Sequence, residues 1–239
     1  EEEVEEQVSA MVMGNLIHKG LEKVYEPFVG KPITNIDVDQ WTAQAYEAGL
    51  TYLIEVERYS KSALNQGRNL LTLEICKKMI RQFLQYDARR AAQGSLILKG
   101  VETKLDFEML HPILQLPMKF NGVVDRLEVY ENAFIIWDYK SGAIGPSDLS
   151  LSGLDDLWKG SKGKPLQILL YAWLLWKKEL VSHPFPWHSG MFKLQSGQPE
   201  HLLRGAALGK SNDITEELLR DFEKALCDYL AEVHSNGLP

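Results

Sequence analysis

Cysteine is scarce in this chain, with only Cys76 and Cys227 among 239 residues. The two lie far apart in segments that read as helices, which excludes a disulfide framework and a cysteine-ligated metal. A reducing, cytoplasmic setting is the expectation. No apolar run approaches the roughly 18 residues a membrane helix needs, and the acidic start EEEVEE is unlike a basic-then-apolar leader. No membrane partner is therefore expected. Cationic charge is also short, with 26 Lys and Arg against 33 Asp and Glu, a net charge of −7. That excludes an all-over basic coat for nucleic acid and leaves a local patch, or a metal ion among carboxylates, as the way to receive phosphate.

What is present is ordinary for a globular chain, 45% hydrophobic and 25% charged. Helical spacing of apolar residues predicts helices over 8–25, from a cap at Asp39 to 59, and over 69–92 ending at Gly94. The acidic start would sit well at the positive end of the first helix's dipole. After Gly94 the period changes to two, in SLILKGVETKLDFEML, MKFNGVVDRLEVY and, past a Glu131-Asn132 turn, AFIIWDYKSG. Residues 143–164, rich in Gly, Ser, Lys and Asp, read as a mobile connection. Pro165 then opens the helix LQILLYAWLLWKKEL, WHSGMFKLQ reads as a strand, and Asp213 as the cap of a last helix.

The chemistry concentrates in IWDYKSG. Residues two apart on a strand share a face, so Asp138 and Lys140 project together while Trp137 and Tyr139 project oppositely. On the partner strand Asp125 is a lone carboxylate among Val123, Leu127 and Val129, and a lone carboxylate needs a counter-charge. A hairpin through Glu131-Asn132 brings Asp125 and Asp138 to similar heights. Two oxygen ligands there suit Mg²⁺ or Mn²⁺, with Lys140 beside them to steady an attacking hydroxide or the charge on phosphorus.

GVVDRLEVY followed by FIIWDYKSG resembles the PD-(D/E)XK nuclease superfamily, specifically its RecB-like branch found in helicase-nucleases. GNLIHKGLE is similar to that branch's Gly-x-x-x-His-x-x-x-Glu helix, which places His18 and Glu22 one turn apart. LQILLYAW is similar to its Gln-x-x-x-Tyr helix, carrying Gln167 and Tyr171, and in VETKLDF the residue Glu102 matches an acidic position. The resemblance implies an α/β restriction-endonuclease-like fold, a central mixed sheet flanked by helices with a helical N-terminal third. It also implies metal-dependent hydrolysis of DNA phosphodiesters, in the setting of DNA repair and recombination. Asp125, Asp138, the Tyr139 backbone carbonyl and His18 would serve the metal. Asp125, Asp138, Lys140, Gln167 and Tyr171 would form the catalytic set.

The expected organisation is one nuclease domain over 1–239, excised from a longer protein whose helicase domain or subunit is a partner alongside DNA. Within it, 1–94 is helical, 95–200 carries the sheet and the Gln-x-x-x-Tyr helix, and 210–234 is the C-terminal helix. Many relatives hold an iron-sulfur cluster on four flanking cysteines, and this chain holds none by that scheme. Several simpler readings stand beside these. Asp138 with Lys140 is otherwise a structural ion pair, and Asp125 a partner of Arg126 or Lys119. His18 is otherwise a hydrogen-bonded core histidine, Glu22 a packing partner and Glu102 a solvated residue. Lys159, Lys162 and Lys164 suggest a DNA clamp. A non-catalytic scaffold of the same fold, or a phosphodiesterase acting on RNA, are the competing functions.

Overall fold

A computed structural model describes residues 7–205, 208 and 210–236. The glutamate run that opens the chain lies outside the described residues. Val12, Leu16, Ile17, Leu21 and Val24 recur at helical spacing and are buried along one side of α1 (Ala10–Tyr25), whose Ser9 cap accepts from the Val12 amide. Next come β1 (Pro32–Ile33), α2 (Val38–Glu55), the single turn α3 (Lys61–Leu64), which apolar spacing does not predict, and α4 (Gly67–Gln93). The cap of α2 is Asp37 rather than Asp39. Asp37 accepts from the Gln40 amide at 3.0 Å, whereas the Asp39 side chain turns outward to Arg81.

The period-two stretches form β2 (Leu96–Leu110), β3 (Pro117–Tyr130) and β4 (Ala133–Lys140), each antiparallel to the next. Glu131 and Asn132 both have positive φ, at 47° and 69°, as a two-residue reverse turn between such strands requires. Residues 143–164 are not the expected mobile connection. They form 3-10 turns at Pro146–Leu149 and Leu154–Trp158 and the strand β5 (Ser150–Leu151). Leu149, Leu151 and Leu157 anchor the segment by burial, which the surrounding Gly, Ser and Lys conceal in the sequence.

The chain continues through α5 (Gly163–Lys177), β6 (Trp187–Lys193), β7 (Gln198–His201), β8 (Leu203–Arg204), β9 (Asp213–Ile214) and α6 (Glu216–Ser235). Pro165 sits inside the first turn of α5, where a missing N–H costs nothing. The last helix is capped by Thr215, and Asp213 belongs instead to β9. The main sheet runs β1-β2-β3-β4-β6-β7 with β9 also on β6, and β5 pairs with β8 apart from it. The β4–β6 pair is parallel, with α5 as its crossover, so the sheet is mixed. Helices α1, α2 and α4 pack on the face carrying Ile135, Trp137 and Tyr139, while α5 and α6 cover the face carrying Phe134 and Ile136. This is the expected α/β architecture with a helical N-terminal third. No helix among the described residues is long and apolar enough to cross a membrane.

Candidate metal centre

Strands β3 and β4 pair from Tyr130↔Ala133 down to Arg126↔Trp137 and then part. Asp125 and Asp138 are the next residue on each strand, so both carboxylates stand where the hairpin forks. Asp125 replaces the missing rung with its side chain, Oδ2 accepting from the Tyr139 amide. N–H and C=O of one strand residue point toward the same neighbouring strand, so the Tyr139 carbonyl also faces the fork. The Lys140 carbonyl points the other way and accepts from Leu194.

On the other side of Asp125 lies β2. Pairs Val101↔Arg126 and Thr103↔Val124 put Glu102 across from Asp125. Glu102 has φ of 43°, a left-handed conformation that a residue with a side chain rarely adopts and that clusters at functional sites. His18 comes down from α1, with Nδ1 3.0 Å from Glu102 Oε1 and 3.4 Å from Asp125 Oδ1. Its ring packs edge-on against Tyr139. Burial alone would lower the His18 pKa, but its bonds to Asp125 and Glu102 outweigh this and push it up to about 10.

His18, Glu102 and Asp125 each offer a ligand atom, all within 4.8 Å of one another. Asp138 lies beside this trio rather than in it. Its Oδ2 is 2.8 Å from Lys140 Nζ, and burial together with the nearby charge of Asp125 pushes its pKa up to about 6. Lys140 also donates to Gln167 Oε1 at 3.3 Å, and Gln167 Nε2 donates to the Tyr171 hydroxyl at 2.7 Å, four residues along α5. Burial, foremost, pushes the Tyr171 hydroxyl up to about 12.

His18, Asp125, Asp138, Lys140, Gln167 and Tyr171 thus meet at one end of the sheet. Glu102 is the addition, because the sequence left it undecided between the site and solvent. Glu22 is not a partner of His18 and pairs instead with Lys19 at 2.7 Å. Arg126 and Lys119 do not neutralise Asp125: Arg126 turns to Asp87 and Glu128, and Lys119 to Glu108. The loop lysines are bound within their own segment, Lys159 to Asp156, Lys164 to Asp148, and Lys162 to the Ser147 and Ser150 carbonyls. Trp137 and Trp173 are buried as expected, and Trp176 is half-buried.

The donor set fits a divalent cation by charge. Three carboxylates, with side chains 15%, 8% and 4% exposed, crowd around one ammonium and one imidazole. Exchanging the His18 proton for a doubly charged ion would bring this group to formal neutrality, which its burial favours. Oxygen donors with one imidazole suit Mn²⁺ or Mg²⁺ chemistry.

A mixed sheet flanked by helices, with carboxylates and a lysine at a strand fork, is consistent with the restriction-endonuclease-like class of folds. The family model of the PD-(D/E)XK nuclease superfamily matches residues 1–238, and the chain belongs to that superfamily. No curated protein matches it.

Proposed function

We propose that this chain is a Mg²⁺- or Mn²⁺-dependent DNA nuclease domain of the RecB-like branch, acting within a DNA repair or recombination helicase-nuclease in the cytoplasm. The whole of 1–239 is read as one such domain. The observation that carries the reading is the convergence of His18, Glu102 and Asp125 at the fork, with the Asp138–Lys140 pair alongside.

His18, Asp125, Asp138 and the Tyr139 carbonyl would hold the ion, and Glu102 extends that set on geometric grounds. A bound divalent ion would supply a Lewis acid for the phosphoryl oxygen and a water of lowered pKa. Lys140 Nζ steadies the attacking hydroxide and the charge growing on phosphorus as the P–O bond to the leaving oxygen breaks. Gln167 orients Lys140 by accepting from Nζ, and Tyr171 fixes Gln167 in turn.

The test compares wild type with Lys140→Ala on linear DNA in Mg²⁺ or Mn²⁺. The wild type should degrade the DNA, and the variant should be slower by about 10²-fold or more, as when a single transition-state charge partner is removed. Equal degradation, or none by either, overturns the reading, and a matched RNA strand decides the substrate. A non-catalytic scaffold for DNA or a partner is favoured only by the net charge of −7 and the self-engaged loop lysines. Calorimetric Mn²⁺ titration separates the two, since a nuclease binds the ion and loses that binding in Asp138→Ala.

A further inference from the structure

Behind the fork, on the α1 and α4 side of the sheet, lies a buried ion network that none of the chemistry above uses. The fully buried Glu128 carboxylate meets three elements at once. It accepts from Arg126 Nε on its own strand at 2.6 Å, from Arg90 on α4, and from Trp137 Nε1 on β4 at 2.8 Å. Asp87 of α4 completes the network, 2.6 Å from Arg126 Nη1, 3.1 Å from Arg90 Nη1 and 2.6 Å from the Tyr25 hydroxyl. Both arginines and Trp137 are less than a tenth exposed.

Two acids and two bases withdrawn from water are expensive, and apolar side chains of like volume hold a core as well or better. The place of the network gives it another use. Arg126 and Trp137 form the last paired rung before the strands part, and Asp125 and Asp138 are the residues immediately beyond. Glu128 is bonded to both members of that rung. An apolar contact tolerates sliding, whereas a hydrogen bond fixes a distance and an angle.

We propose that Glu128 is a positioning residue, a clasp whose hold on Arg126 and Trp137 sets how far the fork opens and hence the separation of Asp125 from Asp138. This deepens the nuclease reading and rests on it for its catalytic consequence. The geometry of the clasp does not depend on activity. The carboxylate is held ionised for the role: burial opposes its charge, but Arg126 and Arg90 outweigh this and lower its pKa to about 2.

Two variants test it. Trp137→Phe removes one hydrogen bond and leaves the ion network and an aromatic ring, though a smaller one, in place, and Glu128→Gln removes the charge at constant shape. The first readout is amide hydrogen exchange at Tyr139, whose N–H closes the fork onto Asp125. In both variants this amide should exchange about tenfold faster while α1 amides keep their protection. The second is cleavage kinetics well below the melting temperature, where kcat should fall about tenfold with KM for DNA within about twofold, as for a small displacement of catalytic groups.

Unchanged Tyr139 exchange in the folded variants overturns the proposal. So does a uniform rise in exchange across the protein, or faster Tyr139 exchange with kcat retained, either of which makes the network a stability element alone. If Glu128→Gln does not fold, Trp137→Phe decides. If the wild type itself does not cleave, the nuclease reading fails and the exchange measurement still decides the clasp.

Discussion

At Gly122 the absence of a side chain decides where Tyr171 rests. A Cβ there would lie 2.8 Å from Tyr171 Cε1, a distance that ring and strand cannot both keep. Displacing the ring would pass through Gln167 to Lys140, because the three are joined by hydrogen bonds. Gly122→Ala should therefore lower cleavage by about 10- to 100-fold with the fold intact. In a Tyr171→Ala background the same change should cost far less, and a double-mutant cycle on cleavage rate measures that coupling. At this scale the sequence is informative where a charge interrupts an apolar strand, as at Asp125 and Asp138, and where side chains share a helix face, as at Gln167 and Tyr171. It leaves Glu102 undecided, because its place depends on one left-handed backbone angle and on which residue β3 sets opposite it. It is silent on Glu128, because one of the partners that hold its charge, Arg90, comes from α4, some forty residues earlier.

Among the elements, the long helices follow from periodicity, since each buries one side, whereas the three-strand meander is marked as much by its turn at Glu131-Asn132, because β4 is buried on both faces. Their ends are less legible. Asp37 and Asp39 are both good caps by type, and only the position of the first helical turn distinguishes them. Asp37→Ala should destabilise the protein by about 1 kcal/mol, as loss of a cap does. Asp39→Ala, which removes an exposed ion pair with Arg81, should change stability by under about 0.5 kcal/mol. Thermal melts of the two variants check the difference, and a larger loss for Asp39→Ala would show the cap to be misplaced. The segment 143–164 was misleading for a related reason. Its composition is that of a flexible linker, yet three spaced leucines suffice to fix it when a core lies beneath.

For the whole molecule, net charge is a poor guide to what the site receives. The surplus of acid is partly an internal matter, with Glu102, Asp125 and Asp138 gathered at the fork of the sheet. A ligand that binds only the folded state raises its stability by mass action, by about 2.7 kcal/mol at a hundred times its dissociation constant. Mn²⁺ should accordingly raise the melting temperature of the wild type. Asp125→Asn should abolish that rise, and an equal rise in the variant would mean the ion binds elsewhere. The expected fold class holds at this scale, because topology follows from the order of elements.

The β2–β3 hairpin reaches well beyond the fork, and its far end is moored. His111, wholly buried, accepts from the Ile113 and Leu114 amides at Nδ1, which leaves Nε2 protonated to donate to the Cys227 carbonyl in α6 at 2.9 Å. The arm that carries Gly122 under Tyr171 is thus a beam supported at both ends, one end in the sheet and the other on the closing helix. Slackening that distant mooring would let the beam tilt, so damage near residue 227 would be felt as misalignment around Lys140.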